Sequence, residues 1–242
     1  MRRIAPLAAI ALLAAVATPI VVAQGGSAPG APDKSRVTAG TYAADPGHTM
    51  VVWEVDHLGF SKYTGIFGDV TGTLVIDPAN PAAAKVDVTI PVSKGTTASA
   101  GLTSHLLRPG KDGGKPDFFG ANPADAKFVS TSVVVDAEGD EAKVMGNLTL
   151  NGVTKPVTLD VDFHGAGVGM NKKETVGFEA ETTIKRSDFG VSMGIPMVSD
   201  EVELEIHAAF EKQEARIQSV TRAAYQGAGP AMAPPLFAQG AV

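Results

Sequence analysis

Alternation of apolar and polar residues, repeated in separate stretches, constrains this chain more than any other feature. Val86, Val88, Ile90 and Val92 alternate with Asp87, Thr89 and Pro91, and Val202, Leu204, Ile206, Ala208 and Phe210 alternate with Glu203, Glu205, His207 and Ala209. The same period recurs in Val157-Leu159-Val161-Phe163 and in Phe178-Ala180-Thr182-Ile184. Successive side chains of a strand point to opposite faces, so each stretch is a strand with one apolar and one wet face. Turn signals separate them: Asp77-Pro78-Ala79-Asn80-Pro81, Glu138-Gly139-Asp140, Asn151-Gly152, Gly165 to Gly169, and Phe189-Gly190. The pattern predicts eight strands, near 49–56, 64–77, 84–94, 127–136, 141–150, 153–164, 174–186 and 200–211. The interval 96–126 lacks alternation, and Ala98 to Leu107 within it suits one short helix. Hairpin-length links imply an antiparallel meander, and eight strands can close into a barrel holding one ligand. A two-sheet sandwich is the structural alternative.

The ends differ from this core. Residues 1–23 open with Met1-Arg2-Arg3, continue uncharged and apolar, and close on Val21-Val22-Ala23, the pattern of a secretion signal cleaved after Ala23. An uncleaved anchor is the alternative, since about 20 apolar residues span a bilayer, although Pro6 and Pro19 make that helix poor. Residues 24–41 are rich in Gly, Ser, Ala and Pro and read as a flexible linker, and 212–242 as a low-complexity, disordered tail. The folded unit is then 42–211. The signal makes the location expected periplasmic or secreted, and no later segment suits a membrane span.

Charge and chemistry narrow the function. The core carries 13 Lys/Arg and 24 Asp/Glu, formally −11, which repels nucleic acid and anionic membrane surfaces. No cysteine is present, which excludes disulfides, thiolate metal sites and cysteine nucleophiles. His48, His57, His105, His164 and His207 show no spacing that places two imidazoles on one metal locally. Asp160/Asp162 and Glu203/Glu205 share outward strand faces and suit solvation better than acid–base work. The acidic turn from Asp136 to Glu141 lacks a calcium-loop pattern and reads as a hairpin tip. Gly190-Val191-Ser192-Met193-Gly194 spells the hydrolase elbow, but Pro196 follows where a helix is required. No catalytic residue, metal or cofactor is therefore expected.

The remaining candidates are aromatics and small polar residues in sequential turns. Ligand pockets are mostly apolar with a few placed polar groups. On that ground Trp53, Phe60, Phe67, Phe118, Phe119 and Phe189 are expected to contact an apolar ligand, with His57, Ser61 and His105 nearer its polar head. The structural alternative is that these aromatics only fill the core.

Taken in order, the segments across 42–211 resemble the YceI-like family of secreted polyisoprenoid-binding proteins. The resemblance rests on Asp45-Pro46-Gly47-His48, Val55-Asp56-His57-Leu58-Gly59-Phe60-Ser61, Gly65-Ile66-Phe67-Gly68, Ile76-Asp77-Pro78-Ala79-Asn80-Pro81 and Val88-Thr89-Ile90-Pro91. It continues through Asp117-Phe118-Phe119, Phe128-Val129-Ser130-Thr131, Gly146 to Val157, Gly177-Phe178, Arg186-Ser187-Asp188-Phe189-Gly190 and Asp200-Glu201-Val202. Leu102-Thr103-Ser104-His105-Leu106 keeps a His-Leu pair but lacks the Arg-Asp that precedes it in many members. The resemblance implies an all-β fold, an extended eight-stranded antiparallel barrel similar to a lipocalin, with one short helix covering the cavity. It also implies non-enzymatic binding, transport or sequestration of an isoprenoid or other long-chain lipid, such as a quinone or a polyprenyl phosphate. A homodimer is the other partnership left open. The rival functions are a lipid-ester hydrolase using Ser192 and a structural module without a cavity.

Overall fold

A strand keeps its place in a sheet only where its backbone N–H and C=O groups find partners, and two interruptions shape the whole barrel here. The computed structural model describes residues 27–214. The expected signal segment 1–23 and the tail beyond Glu214 lie outside the described residues. The strands are β1 (Gly30–Ala31), β2 (Gly40–Ala44), β3 (Met50–His57), β4 (Ser61–Phe67), β5 (Thr71–Ile76) and β6 (Lys85–Ile90). After them come β7 (Thr96–Thr97), helix α1 (Ala100–Leu106), β8 (Ala126–Val135), β9 (Glu141–Leu150), β10 (Val153–Val168), β11 (Glu174–Lys185) and β12 (Glu201–Lys212).

β12 pairs with β2 through Phe210–Lys212 and with β3 through Glu203–His207, so β2 and β3 form one interrupted stave. The interruption is chemical. Pro46 has no N–H to give, and Asp45 folds the chain back by accepting from the Gly47 N–H at 2.9 Å. Thr49 closes the gap, its hydroxyl donating to the Ala209 carbonyl at 3.0 Å. β4 and β5 form the second broken stave, pairing with β3 and β2 respectively, and part at Asp69, whose φ of 56° leaves the strand region. The predicted strand 64–77 is this stave, with its break unforeseen.

The ring then closes antiparallel: β5 to β6, β6 to β8, β8 to β9, β9 to β10, β10 to β11, and β11 to β12. Among the described residues eight staves make the barrel, and they form no two-sheet sandwich. The outer faces of β10, β11 and β12 expose Asp160, Asp162, Glu179, Glu181, Glu203 and Glu205. An apolar inside with a charged outside is the reverse of a barrel that faces lipid. No helix among the described residues is long and apolar enough to cross a membrane.

The chain before residue 42, expected as a flexible linker, is laid against the barrel from Gly30 onward. β1 pairs with β10, residues 34–36 form a 3₁₀ turn, and Val37 packs against the cluster of Tyr42, Ala44, Leu74, Ala166, Val176 and Phe210. The segment is polar enough to read as a linker, and its order comes from partners distant in sequence.

Candidate functional site

The inner faces of the staves enclose a cavity of about 640 Å³, within the range of small-molecule sites, roughly 300–1,000 Å³. Its walls are the alternating residues themselves: Val86, Val88 and Ile90 from β6, and Val157, Leu159, Val161 and Phe163 from β10. Phe178, Ala180, Thr182 and Ile184 come from β11, and Leu204, Ile206, Ala208 and Phe210 from β12. Leu159, Val161, Leu204 and Ile206 are only half-buried. They face space instead of neighbours, the condition in which an apolar surface gains most from an apolar occupant.

Charged groups gather at one end of this space. Lys34 and Ser35 from the 3₁₀ turn meet Glu138, Asp140 and Glu141 at the β8–β9 hairpin tip. Lys34 Nζ pairs with Asp140 Oδ1 at 2.6 Å and donates to the Glu138 carbonyl. Asp136 braces the tip by accepting from the Asp140 and Glu141 N–H groups at 3.0 and 3.1 Å. The carboxylates of Glu138 and Glu141 have no ion-pair partner among the described residues. Glu138, Asp140 and Glu141 against Lys34 leave an acidic rim.

The opposite end is plugged. Val55, Ile184, Phe189 and Val202 form a buried cluster with Trp53, Tyr63 and Leu204 packed on it. Arg186, 7% exposed, lies beneath. Its guanidinium donates to the carbonyls of Ser199 (2.7 Å), Met193 (2.8 Å), Val198 (2.9 Å) and Val191 (3.2 Å), which ties the 190–199 loop across the end. Burial lowers the pKa of Arg186 while the nearby Asp200 opposes the shift. Asp200 is held below the ordinary carboxylate range, chiefly by the Ser187 hydroxyl at 2.7 Å. Trp53 Nε1 and Tyr63 OH are buried at this end without a hydrogen-bond partner.

The expected ligand contacts divide sharply between these regions. Phe67 lines the cavity. Trp53 and Phe189 belong to the plug, with Phe189 2% exposed. Phe119 packs edge-on against Phe67 at 6.0 Å between ring centroids and joins the cluster of Val70, Ile90, Val92 and Ala126. His105 is held by Asp117 at 2.7 Å and stacks edge-on with Phe118 at 5.1 Å. The His105 hydrogen bond, with a second from Arg108, keeps the Asp117 carboxyl below its usual range. His57 and Ser61 are exposed and flank the β3–β4 turn, where Phe60 is 89% exposed. The geometry therefore moves the wall from turn aromatics to inward strand residues. α1 follows the plugged end of β6 and sits beside β7 on the β4 edge, away from the charged rim.

Ser192 is exposed in the loop after Phe189, and among the described residues no helix follows it, so the hydrolase elbow is not formed. Among the described residues no cluster of three or more His, Asp and Glu side chains suits a metal ion.

The sequence model of the YceI-like domain matches residues 42–210. Protein YceI of Salmonella arizonae is 42% identical over 168 residues, covering 69% of this chain and 83% of that protein. Among solved structures, BcnA of Burkholderia cenocepacia is similar with a TM-score of 0.57 and 27% identity, over 69% of this chain and 98% of that one. The YceI protein of Campylobacter jejuni is similar with a TM-score of 0.55 and 31% identity, over 66% and 90%.

Proposed function

This chain belongs to the YceI-like family across residues 42–210, and on that premise we propose that it binds a long-chain isoprenoid-type lipid without transforming it. The observation that carries this reading is the continuous apolar wall of the cavity in a closed barrel, whose charged lining residues stand at one end only. An apolar tail lies along the wall, and the head group stays at the rim. Transfer from water drives binding: at about 0.8 kcal/mol per buried CH₂, ten to fifteen carbons contribute on the order of 8–12 kcal/mol before association costs. No nucleophile, acid–base pair or metal is required.

The rim sharpens the choice of head. Lys34 is already paired with Asp140, and Glu138 and Glu141 leave a surplus of negative charge. A phosphate placed there meets like charge, so a quinone or alcohol head suits the rim better than a polyprenyl phosphate. The protein acts in the periplasm or outside the cell after cleavage following Ala23, a reading supported by the Arg-led apolar segment at residues 1–23. N-terminal analysis of periplasmic extract is expected to find Gln24 first.

Native mass spectrometry of protein released gently from its own host tests the ligand class. The expected result is a retained apolar mass that organic extraction removes and that a neutral isoprenoid replaces. Recovery of empty protein that takes up neither quinones nor polyprenols contradicts the reading.

A further inference from the structure

β10 outruns its neighbour. Its register with β9 ends at Asp162 opposite Glu141, while the strand continues to Val168. Beyond that point one edge is held by β11 and the other is left by β9. β1 takes the vacated edge, with Gly30 opposite Gly167 and Ala31 opposite Ala166. An open edge is an unpaired row of backbone donors and acceptors, and this one is covered by chain from outside the family-matched region.

The seat is shaped for that chain. A Cβ on Gly167 would stand 2.1 Å from the Pro29 carbonyl oxygen, and one on Gly165 would stand 3.0 Å from that of Ala31. These glycines were expected to make a turn, and they lie instead inside a strand whose edge another segment approaches closely. The ladder is short because Pro29 and Pro32 flank it without N–H groups. Asp33 then caps the 3₁₀ turn, accepting from the Ser35 N–H at 3.0 Å, and the turn presents Lys34 to the hairpin tip.

Residues 29–36 are therefore a preformed strap across the charged end, held by a two-residue ladder, the Lys34–Asp140 ion pair and the Lys34 hydrogen bond to the Glu138 carbonyl. Both partners of that pair are exposed, Lys34 to 44% and Asp140 to 61%, and exposed pairs contribute little. An open groove lined by residues 28–32 and by His164 to Gly167 and Gly177 runs along the junction of the strap with the barrel. Val37, packed in the upper core cluster, fixes the base of the strap.

We propose that residues 29–36 are the gate of the cavity, and that the ligand passes when the strap lifts from Gly165–Gly167 and Lys34 releases the 138–141 tip. The proposal rests on the lipid-binding reading. It adds the route and the moving part, which the cavity alone does not specify.

A cross-link decides it, because the chain has no cysteine to interfere. Ala31 and Ala166 are directly opposed across the antiparallel ladder, where Cα atoms stand about 4.5–5.5 Å apart, within disulfide range. In the full chain carrying Ala31→Cys and Ala166→Cys, uptake of geranylgeraniol, a neutral isoprenoid alcohol, is timed by native mass spectrometry before and after oxidation. Oxidation is expected to slow uptake by empty protein, and release from protein loaded beforehand, on the order of tenfold or more. Dithiothreitol is expected to restore both, and each single variant to be indifferent to oxidant. In a separate protein, Lys34→Met should speed uptake and release by about two- to fivefold, the range an exposed ion pair supplies. Equal rates in the oxidised and reduced double variant overturn the gate while leaving lipid binding intact. Absence of uptake in reduced and wild-type protein overturns both.

Discussion

The two ends of the barrel are closed by different physics. At the plugged end, Phe189 and Arg186 are 2% and 7% exposed, and one guanidinium holds the carbonyls of Ser199, Met193, Val198 and Val191. At the other end a short ladder, an exposed ion pair and the Lys34 hydrogen bond to the Glu138 carbonyl hold the strap. Buried charge-assisted hydrogen bonds are costly to break singly, whereas exposed pairs exchange readily with water. Regions with few buried apolar contacts open at the lowest free energy. Under the proposed function, the contrast places stability at one end and ligand exchange at the other, with the apolar wall between them for binding.

The strongest way to break this division is to charge the wall. Ile206→Asp puts an unpaired carboxylate against the cavity, where burial costs far more than for a neutral polar group and favours water over an apolar occupant. Ligand uptake is expected to fall by on the order of a hundredfold or more while circular dichroism still reports a folded barrel. The neighbouring Glu205→Gln, on the wet face, is expected to leave titrations unchanged. Next in size is Arg186→Met, which strands several carbonyls at the plug. Urea unfolding is expected to show a loss of about 2–4 kcal/mol, with little change in affinity of the protein that remains folded. An equal loss of affinity would mean that the plug shapes the cavity.

Smaller effects sharpen the boundary. Tyr63→Phe removes a buried hydroxyl that has no partner, so stability is expected to stay level or rise by up to about 1 kcal/mol. Phe60→Ser, at a position 89% exposed, should shift stability by less than about 0.5 kcal/mol and leave binding unchanged. A loss of binding on Phe60→Ser would return the turn aromatics to the site.

Much of this architecture was legible from spacing alone. The period of two in Val157–Phe163, Phe178–Ile184 and Val202–Phe210 marked the strands and, once the ring is closed, the cavity wall. The expected contacts were set instead on aromatics near turns: Trp53 and Phe189 sit in the plug, Phe119 packs on Phe67 and Phe118 on His105, and composition does not separate a ring that lines a cavity from one that fills a core. The signal that would have found the wall was already present, because an inward strand face in a closed eight-stranded barrel must border its interior. The strap was less legible. Its order depends on Gly165 and Gly167, more than 130 residues later, and on an edge that appears only when β9 ends before β10. The breaks at Asp45–Thr49 and at Asp69 were hidden for a similar reason, since Thr49 closes the first through the carbonyl of Ala209.

The most direct test of the central claim is a crystal structure of the protein saturated with a neutral long-chain quinone. The account predicts continuous density inside the barrel along Leu159, Phe178, Leu204 and Ile206, with the head group beside Lys34 and the 138–141 tip. Density confined to the exposed apolar residues at the plugged end, Leu58, Phe60, Met193 and Met197, with an empty interior, would contradict it.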